Sequence, residues 1–143
     1  DRRGRSAPLN MVITETGAAT AVAKAYPQLE GKLTGSSIRV PTPNVSLAIL
    51  NLHLGESTDK AAINEYLRDI ALFSPLQHQI NFTASKEIVS TDLVGTRAPS
   101  VVDSQATIVA GNRATLYVWY DNEWGYACRL SDLCALVAEK GLS

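Results

Sequence analysis

Two prolines one residue apart, Pro41 and Pro43, interrupt a stretch that otherwise reads as strand on both sides, over residues 37–40 and 45–53. Neither proline has an N–H to give to a ladder, so the chain must bulge, bend or run along an edge between them. Any fold available to this sequence therefore puts a corner at 41–43 and resumes a long apolar strand directly after it. Helices flank this corner. Residues 16–26 are rich in Ala, with Thr16 as N-cap and Pro27 as stop, which predicts a helix. Ser57, Thr58 and Asp59 open a second one, and Ser74-Pro75 ends it. Ala61, Ala62, Ile63, Tyr66, Leu67, Ile70 and Ala71 form its expected buried stripe.

From residue 79 onward the pattern turns to short strands, at 79–83, 88–93, 104–110 and 114–120. The last two face each other across a hairpin signal, Gly111-Asn112-Arg113. A final helix over 123–140 carries Leu130, Leu133, Cys134, Val137 and Ala138 on one side, with Gly141 at its end. Residues 1–15 have neither period and contain Gly4 and Pro8, so they read as a loop. The predicted class is α+β, a largely antiparallel mixed sheet covered by helices. With 143 residues, 45% of them hydrophobic and 19% charged, one domain with a sizeable core is within reach. A net charge of −1 argues against attachment to nucleic acid by bulk charge. No apolar run approaches the roughly 18 residues that a membrane span needs. Cys128 and Cys134 form no disulfide framework and no zinc ligand set, and read as reduced thiols in a cytoplasmic protein.

Few residues carry a chemical signal. Thr16-Gly17 opens a helix whose unpaired N–H groups and positive dipole end can bind an anion, with Gly17 giving access and the Thr16 hydroxyl an added donor. The same pair also reads as a plain cap. Arg39, between Ile38 and Val40, points away from the face those two would bury, as a solvated charge or as a fork for phosphate or carboxylate. Arg2, Arg3 and Arg5 share those two readings. Trp119-Tyr120-Asp121-Asn122-Glu123-Trp124-Gly125-Tyr126 packs four aromatics into a strand-to-helix junction. Asn122 there is either the helix cap or an amide offering a donor and an acceptor to a carboxamide. Gly125 in the first turn costs helix stability and hints at a close backbone approach. His53 and His78 have no partner at useful spacing and read as structural or solvent-facing, and Cys134 falls in the apolar stripe as a buried thiol. No nucleophile–base pair, no metal site and no Gly-rich dinucleotide loop is present, so no catalytic residue is assigned.

Thr16-Gly17-Ala18-Ala19, Gly31-Lys32-Leu33, Arg39-Val40-Pro41-Thr42-Pro43-Asn44-Val45-Ser46 and the aromatic octet at 119–126, in this order, resemble the second half of the catalytic domain of phosphorylating glyceraldehyde-3-phosphate dehydrogenases. The resemblance covers essentially the whole chain. It implies an oxidoreductase of glycolysis that oxidises glyceraldehyde 3-phosphate through a thiohemiacetal and thioester on a Cys. A His acts as base, NAD accepts hydride, and inorganic phosphate releases 1,3-bisphosphoglycerate. It further implies that Thr16 and Gly17 belong to the attacking-phosphate subsite, that Arg3 contacts the substrate phosphate, and that Arg39 lies between the two subsites. Asn122 would hold the nicotinamide carboxamide and Tyr126 would pack near the ring. A homotetramer is implied, with residues 1–15 as an interface loop, 16–121 as sheet and helices, and 122–140 as the C-terminal helix.

The family's Ser-Cys-Thr-Thr-Asn nucleophile motif, its His base and its N-terminal NAD-binding domain do not occur in this sequence. The chain is thus expected to be a segment of a longer enzyme and inactive alone. Rival readings are an erythrose-4-phosphate dehydrogenase and a non-catalytic assembly domain. Glu15 replaces the small hydroxyl residue usual before Thr16 and should face outward. The apolar stripe of the last helix should lack cover within this chain.

Overall fold

A computed structural model describes residues 9–141, and the chain forms two compact units divided between Pro43 and Asn44. The corner demanded by Pro41 and Pro43 coincides with that division.

The first unit contains β1 (Val12–Thr14), α1 (Ala18–Ala25), a 3-10 turn (Pro27–Leu29) and β2 (Ser37–Arg39). β1 and β2 pair antiparallel, with Val12 opposite Arg39, Ile13 opposite Ile38 and Thr14 opposite Ser37. Part of the expected 1–15 loop is therefore strand, because Val12 and Ile13 find a partner in 37–39 that local pattern alone does not reveal. Residues 1–8, including Arg2, Arg3 and Arg5, lie outside the described residues. Val12 is buried, whereas Ile38 and Val40 are exposed, so β2 does not bury the face that its Ile/Val pair suggests.

The second unit is built on β7 (Arg113–Tyr120). One side of β7 pairs along its whole length with β3 (Ser46–His53), antiparallel, from Ser46 opposite Tyr120 to His53 opposite Arg113. Its other side is shared by two short strands, β5 (Val101–Asp103) at one end and β6 (Ile108–Ala110) at the other. β4 (Asn81–Thr83) adds to β5 in parallel. Of the predicted strand over 104–110 only 108–110 is strand; the chain turns over 104–107, and 101–103, outside the expected strand, takes the other half of the edge. Asp103 causes the break. Its Oδ1 accepts the N–H groups of Gln105 at 3.1 Å and Ala106 at 3.2 Å, and its Oδ2 accepts Trp119 Nε1–H at 3.1 Å. An Asp that bonds its own downstream backbone makes a turn where a strand would continue. The same competition removes the predicted strand over 88–93. Asp92 accepts the Val89 N–H at 2.9 Å, and Ser90–Leu93 coils as a 3-10 turn.

Helix α2 (Lys60–Phe73) is capped by Asp59, whose Oδ1 accepts the Ala62 N–H at 2.9 Å, and it stops at Ser74 before Pro75. Only Ile63, Leu67, Ile70 and Ala71 of its expected stripe are covered, a spacing that gives one narrow face; Ala61, Ala62 and Tyr66 are exposed. Gly111 turns the β6–β7 hairpin at φ +62°, which glycine adopts without steric cost. Val101, Val102, Ala114, Leu116, Leu93, Ala71 and Cys128 form the core of this unit. Helix α3 (Asn122–Lys140) starts inside that core and leaves it. Gly125 and Cys128 are buried, but Leu130, Leu133, Leu136, Val137 and Cys134 are exposed. The buried thiol expected at Cys134 is a correction: past Cys128 no element of this unit covers the helix.

Truncating Leu116 to Ala is expected to cost about 2–5 kcal/mol, as buried Leu truncations do. Leu133→Glu should stay within about 0.5 kcal/mol, the range of exposed positions. Urea midpoints of the two variants measure the contrast. A loss at Leu133 as large as that at Leu116 would show the stripe to be covered within the chain.

Candidate functional site

The candidate residues divide between the two units. In the first, β1 leads through Glu15 and Thr16 into α1. Gly17, not Thr16, occupies the N-cap position, and Thr16 Oγ1 instead accepts the Ala18 N–H at 3.2 Å. The hydroxyl thus satisfies one of the helix's free donors from one residue further out. Gly17 has open space where a Cβ would stand, and its carbonyl accepts the Ala21 N–H at 2.9 Å. Glu15 is exposed. Arg39 stands opposite Val12, two residues (about 7 Å) along the ladder from the Thr14–Ser37 rung. Alternation puts Arg39, Ser37, Val12 and Thr14 on one face of the pair. Arg39 is exposed and has no ion pair or hydrogen bond among the described residues, so its five N–H donors are open to a ligand. Arg3 lies outside the described residues.

In the second unit the junction between β7 and α3 is organised by Asp121, which is buried with 3% of its surface exposed. Its Oδ2 accepts the Gly95 N–H at 2.9 Å and Asn44 Nδ2–H at 3.2 Å, and its Oδ1 accepts the Trp124 N–H at 3.0 Å. Asp121 is therefore the cap of α3, which corrects the capping alternative for Asn122. The geometry explains the swap. Asp121 is still extended, so its carboxylate curls back over the first helical turn, whereas Asn122 is already helical. The N–H groups of Gly95 and Trp124, with the Asn44 amide, hold the Asp121 carboxyl below its ordinary value, against burial, which pushes it up.

Asn122 is left free for other work. It is exposed and donates Nδ2–H to Ser46 Oγ at 3.3 Å. Tyr126, 71% exposed, lies one turn further on the same face of α3. Gly125 is buried, and a Cβ there would stand 3.7 Å from the Pro99 Cα, an ordinary contact, so the expected close approach leaves room for a methyl group. His53 and His78 are exposed. A shallow hollow of about 340 Å³ between β3, β6 and β7 is lined by His53, Asn51, Arg113 and Thr115, at the far end of β3 from Ser46, and it holds none of the predicted site residues. Sequence reading missed Asp121, Asn44 and Ser46. The signal was present in part, since an Asp three residues before Trp124 at a helix start has capping spacing.

A family profile described as "Glyceraldehyde 3-phosphate dehydrogenase, C-terminal domain" matches residues 1–122. A "Glyceraldehyde-3-phosphate dehydrogenase-like protein" of Pseudomonas aeruginosa strain UCBPP-PA14 is 67% identical over 129 residues, which are 90% of this chain and 28% of that protein. A "Glyceraldehyde-3-phosphate dehydrogenase 2" of Trichormus variabilis is 46% identical over 140 residues, 97% of this chain and 41% of that protein. A "Glyceraldehyde-3-phosphate dehydrogenase" of Phaffia rhodozyma is 41% identical over 138 residues, 96% and 40% of the two chains. The chain thus spans less than half the length of these curated relatives.

Because the Asp121 carboxyl is lower in the folded chain than in the unfolded one, its contribution to stability is complete above its ordinary value of 3.8. That contribution is lost as pH falls through the folded value. The urea midpoint of the chain is expected to fall below about pH 4. Asp121→Asn, which turns an amide N–H toward other N–H donors, should lower the midpoint at pH 7 and flatten the acid limb. Parallel limbs for the two proteins would assign the acid loss to other carboxylates.

Proposed function

The chain belongs to the glyceraldehyde-3-phosphate dehydrogenase C-terminal domain family, and on that premise we propose that it is the phosphate-binding segment of an enzyme that oxidises glyceraldehyde 3-phosphate with inorganic phosphate. The observation that carries this reading is Arg39, an exposed guanidinium without a protein partner among the described residues, raised on the ladder whose other strand runs into the Thr16-Gly17 start of α1. A planar, permanently charged fork suits two phosphoryl groups, one on the sugar and one attacking. In this reading the Gly17 turn lets an anion approach the first N–H groups of α1, Thr16 offers its hydroxyl hydrogen, and Arg3 contributes from the opening stretch. These groups bind and orient. The nucleophile and base belong to parts of the enzyme not in this sequence, so the isolated chain makes no product.

NAD is the cofactor proposed, and it supplies the hydride acceptor when bound. The residues here fit it: Asn122 keeps its Oδ1 unpartnered among the described residues, turned from the Ser46 bond, and Tyr126 offers an exposed ring one turn away. A carboxamide needs such an acceptor and a ring needs such a face. A homotetrameric, cytoplasmic enzyme acting in glycolysis is part of the same proposal.

In the full-length protein, Arg39→Gln should lower kcat/KM for inorganic phosphate and for glyceraldehyde 3-phosphate by about 10- to 100-fold, as loss of a charge-assisted hydrogen bond predicts. Binding of NAD should be unchanged. Steady-state kinetics with each phosphate varied in turn measures this, and an unchanged dependence on both phosphates would remove Arg39 from the site. The purified 143-residue chain should give no phosphate-dependent NADH. Erythrose 4-phosphate as the better substrate of the full-length enzyme would reassign the sugar.

A further inference from the structure

The first N–H groups of a helix have no acceptor within it. At α1 the Ala18 N–H is met by Thr16 Oγ1 at 3.2 Å and the Ala21 N–H by the Gly17 carbonyl at 2.9 Å. The Ala19 and Thr20 N–H groups have no acceptor among the described residues, and the first turn carries no acidic side chain. The carboxylate next to these open donors along the chain is Glu15. Two residues separate it from Gly17, at most about 7 Å of backbone. Glu15 is exposed, and its carboxylate makes no ion pair or hydrogen bond among the described residues. Arg39 does not neutralise it, because Arg39 stands at the Val12 rung, three residues (about 10 Å) back along the ladder. Lys24 lies in the last turn of α1, at the opposite end of the helix. The negative charge of Glu15 is thus uncompensated, and it sits where α1 opens toward an anion.

We infer that Glu15 is a specificity-determining residue that weakens the hold of this enzyme on inorganic phosphate. This rests on the proposed phosphate-binding role of Thr16 and Gly17, and it adds the residue that sets how much phosphate the reaction needs. Like charges repel, and a phosphate dianion is repelled twice as strongly as a monoanion at the same place. Solvent and salt reduce the repulsion but do not abolish it within a Debye length, about 10 Å at 0.1 M. The dipole of α1 also draws the carboxylate toward the open N–H groups, so that Glu15 competes for the donors a phosphate would use. A small hydroxyl residue, usual at this place in the family, does neither. The sugar phosphate is less affected in this reading, since Arg3 and Arg39 serve it from outside the helix start. Glu15 therefore acts against the attacking phosphate in particular.

The test is steady-state kinetics of the full-length protein with inorganic phosphate varied at saturating NAD and glyceraldehyde 3-phosphate. The quantity read is kcat/KM for phosphate relative to the wild type. Glu15→Gln should raise it about three- to tenfold at low ionic strength, the weight of one exposed charge beside a dianion. The gain should shrink toward one at about 1 M salt, where the Debye length is about 3 Å. Its effect on kcat/KM for glyceraldehyde 3-phosphate should be smaller. Glu15→Asp, which keeps the charge, should match the wild type. Glu30→Gln, which removes an equal charge beyond the far end of α1, should change nothing. Thr16→Ala should lower the phosphate value. An unmoved value in Glu15→Gln beside a lowered one in Thr16→Ala overturns this inference alone. So does a gain that survives high salt, or one that Glu30→Gln reproduces. A value unmoved by both Glu15→Gln and Thr16→Ala removes the α1 start from the phosphate site, and this inference goes with it.

Discussion

A single buried carboxylate ties together parts of the second unit that are far apart in sequence. Asp121 takes hydrogen bonds from the turn after the Pro-Thr-Pro corner, from the loop at Gly95 and from the first turn of α3. A charge taken out of water is tolerable only when its lone pairs are filled, and here N–H donors fill them. Where α3 starts, which residue of its first turn stays free, and how the strand re-enters after Pro43 all follow from that arrangement. Deleting the carboxylate would leave three donors to find other partners at once, which is why one small side chain has such reach.

The parts of the fold legible in the sequence are those governed by local rules. Asp59 and Ser74-Pro75 bounded α2, and Gly111 with the alternation after it set the β6–β7 hairpin. Gly141, at φ +57°, ended α3. The parts that were not legible involve competition between local and distant partners. Residues 88–93 have strand composition, yet Asp92 captures the Val89 N–H and coils the segment. Asp103 likewise turns the chain over 104–107, so that only 108–110 of the expected strand forms. β1 was invisible because three residues carry no period; it exists through pairing with β2.

For the candidate site, residue types were legible and arrangements were not. Arg39 and the Thr16-Gly17 start were readable as anion-binding chemistry, and the ladder register supplies their common framework within the first unit. At the aromatic octet the sequence offered two oxygen-bearing side chains for one cap. Asp121 took it because it precedes the helix, which left Asn122 with a hydroxyl partner on another strand. That partner, Ser46, lies 76 positions away and has no sequence signature of its own.

The pairing of β3 with β7 also sets an order of events. β3 is made sixty or more residues before the strand that completes it, and between them the chain must build α2, β4, β5 and β6. During that interval an eight-residue, Leu-rich segment has both of its backbone edges unsatisfied. Contacts of such long range form late, and open edges of this kind attract other chains while they wait. Biosynthesis of this protein is therefore exposed to aggregation at one identifiable segment, and chaperone capture during translation would be expected to concentrate there.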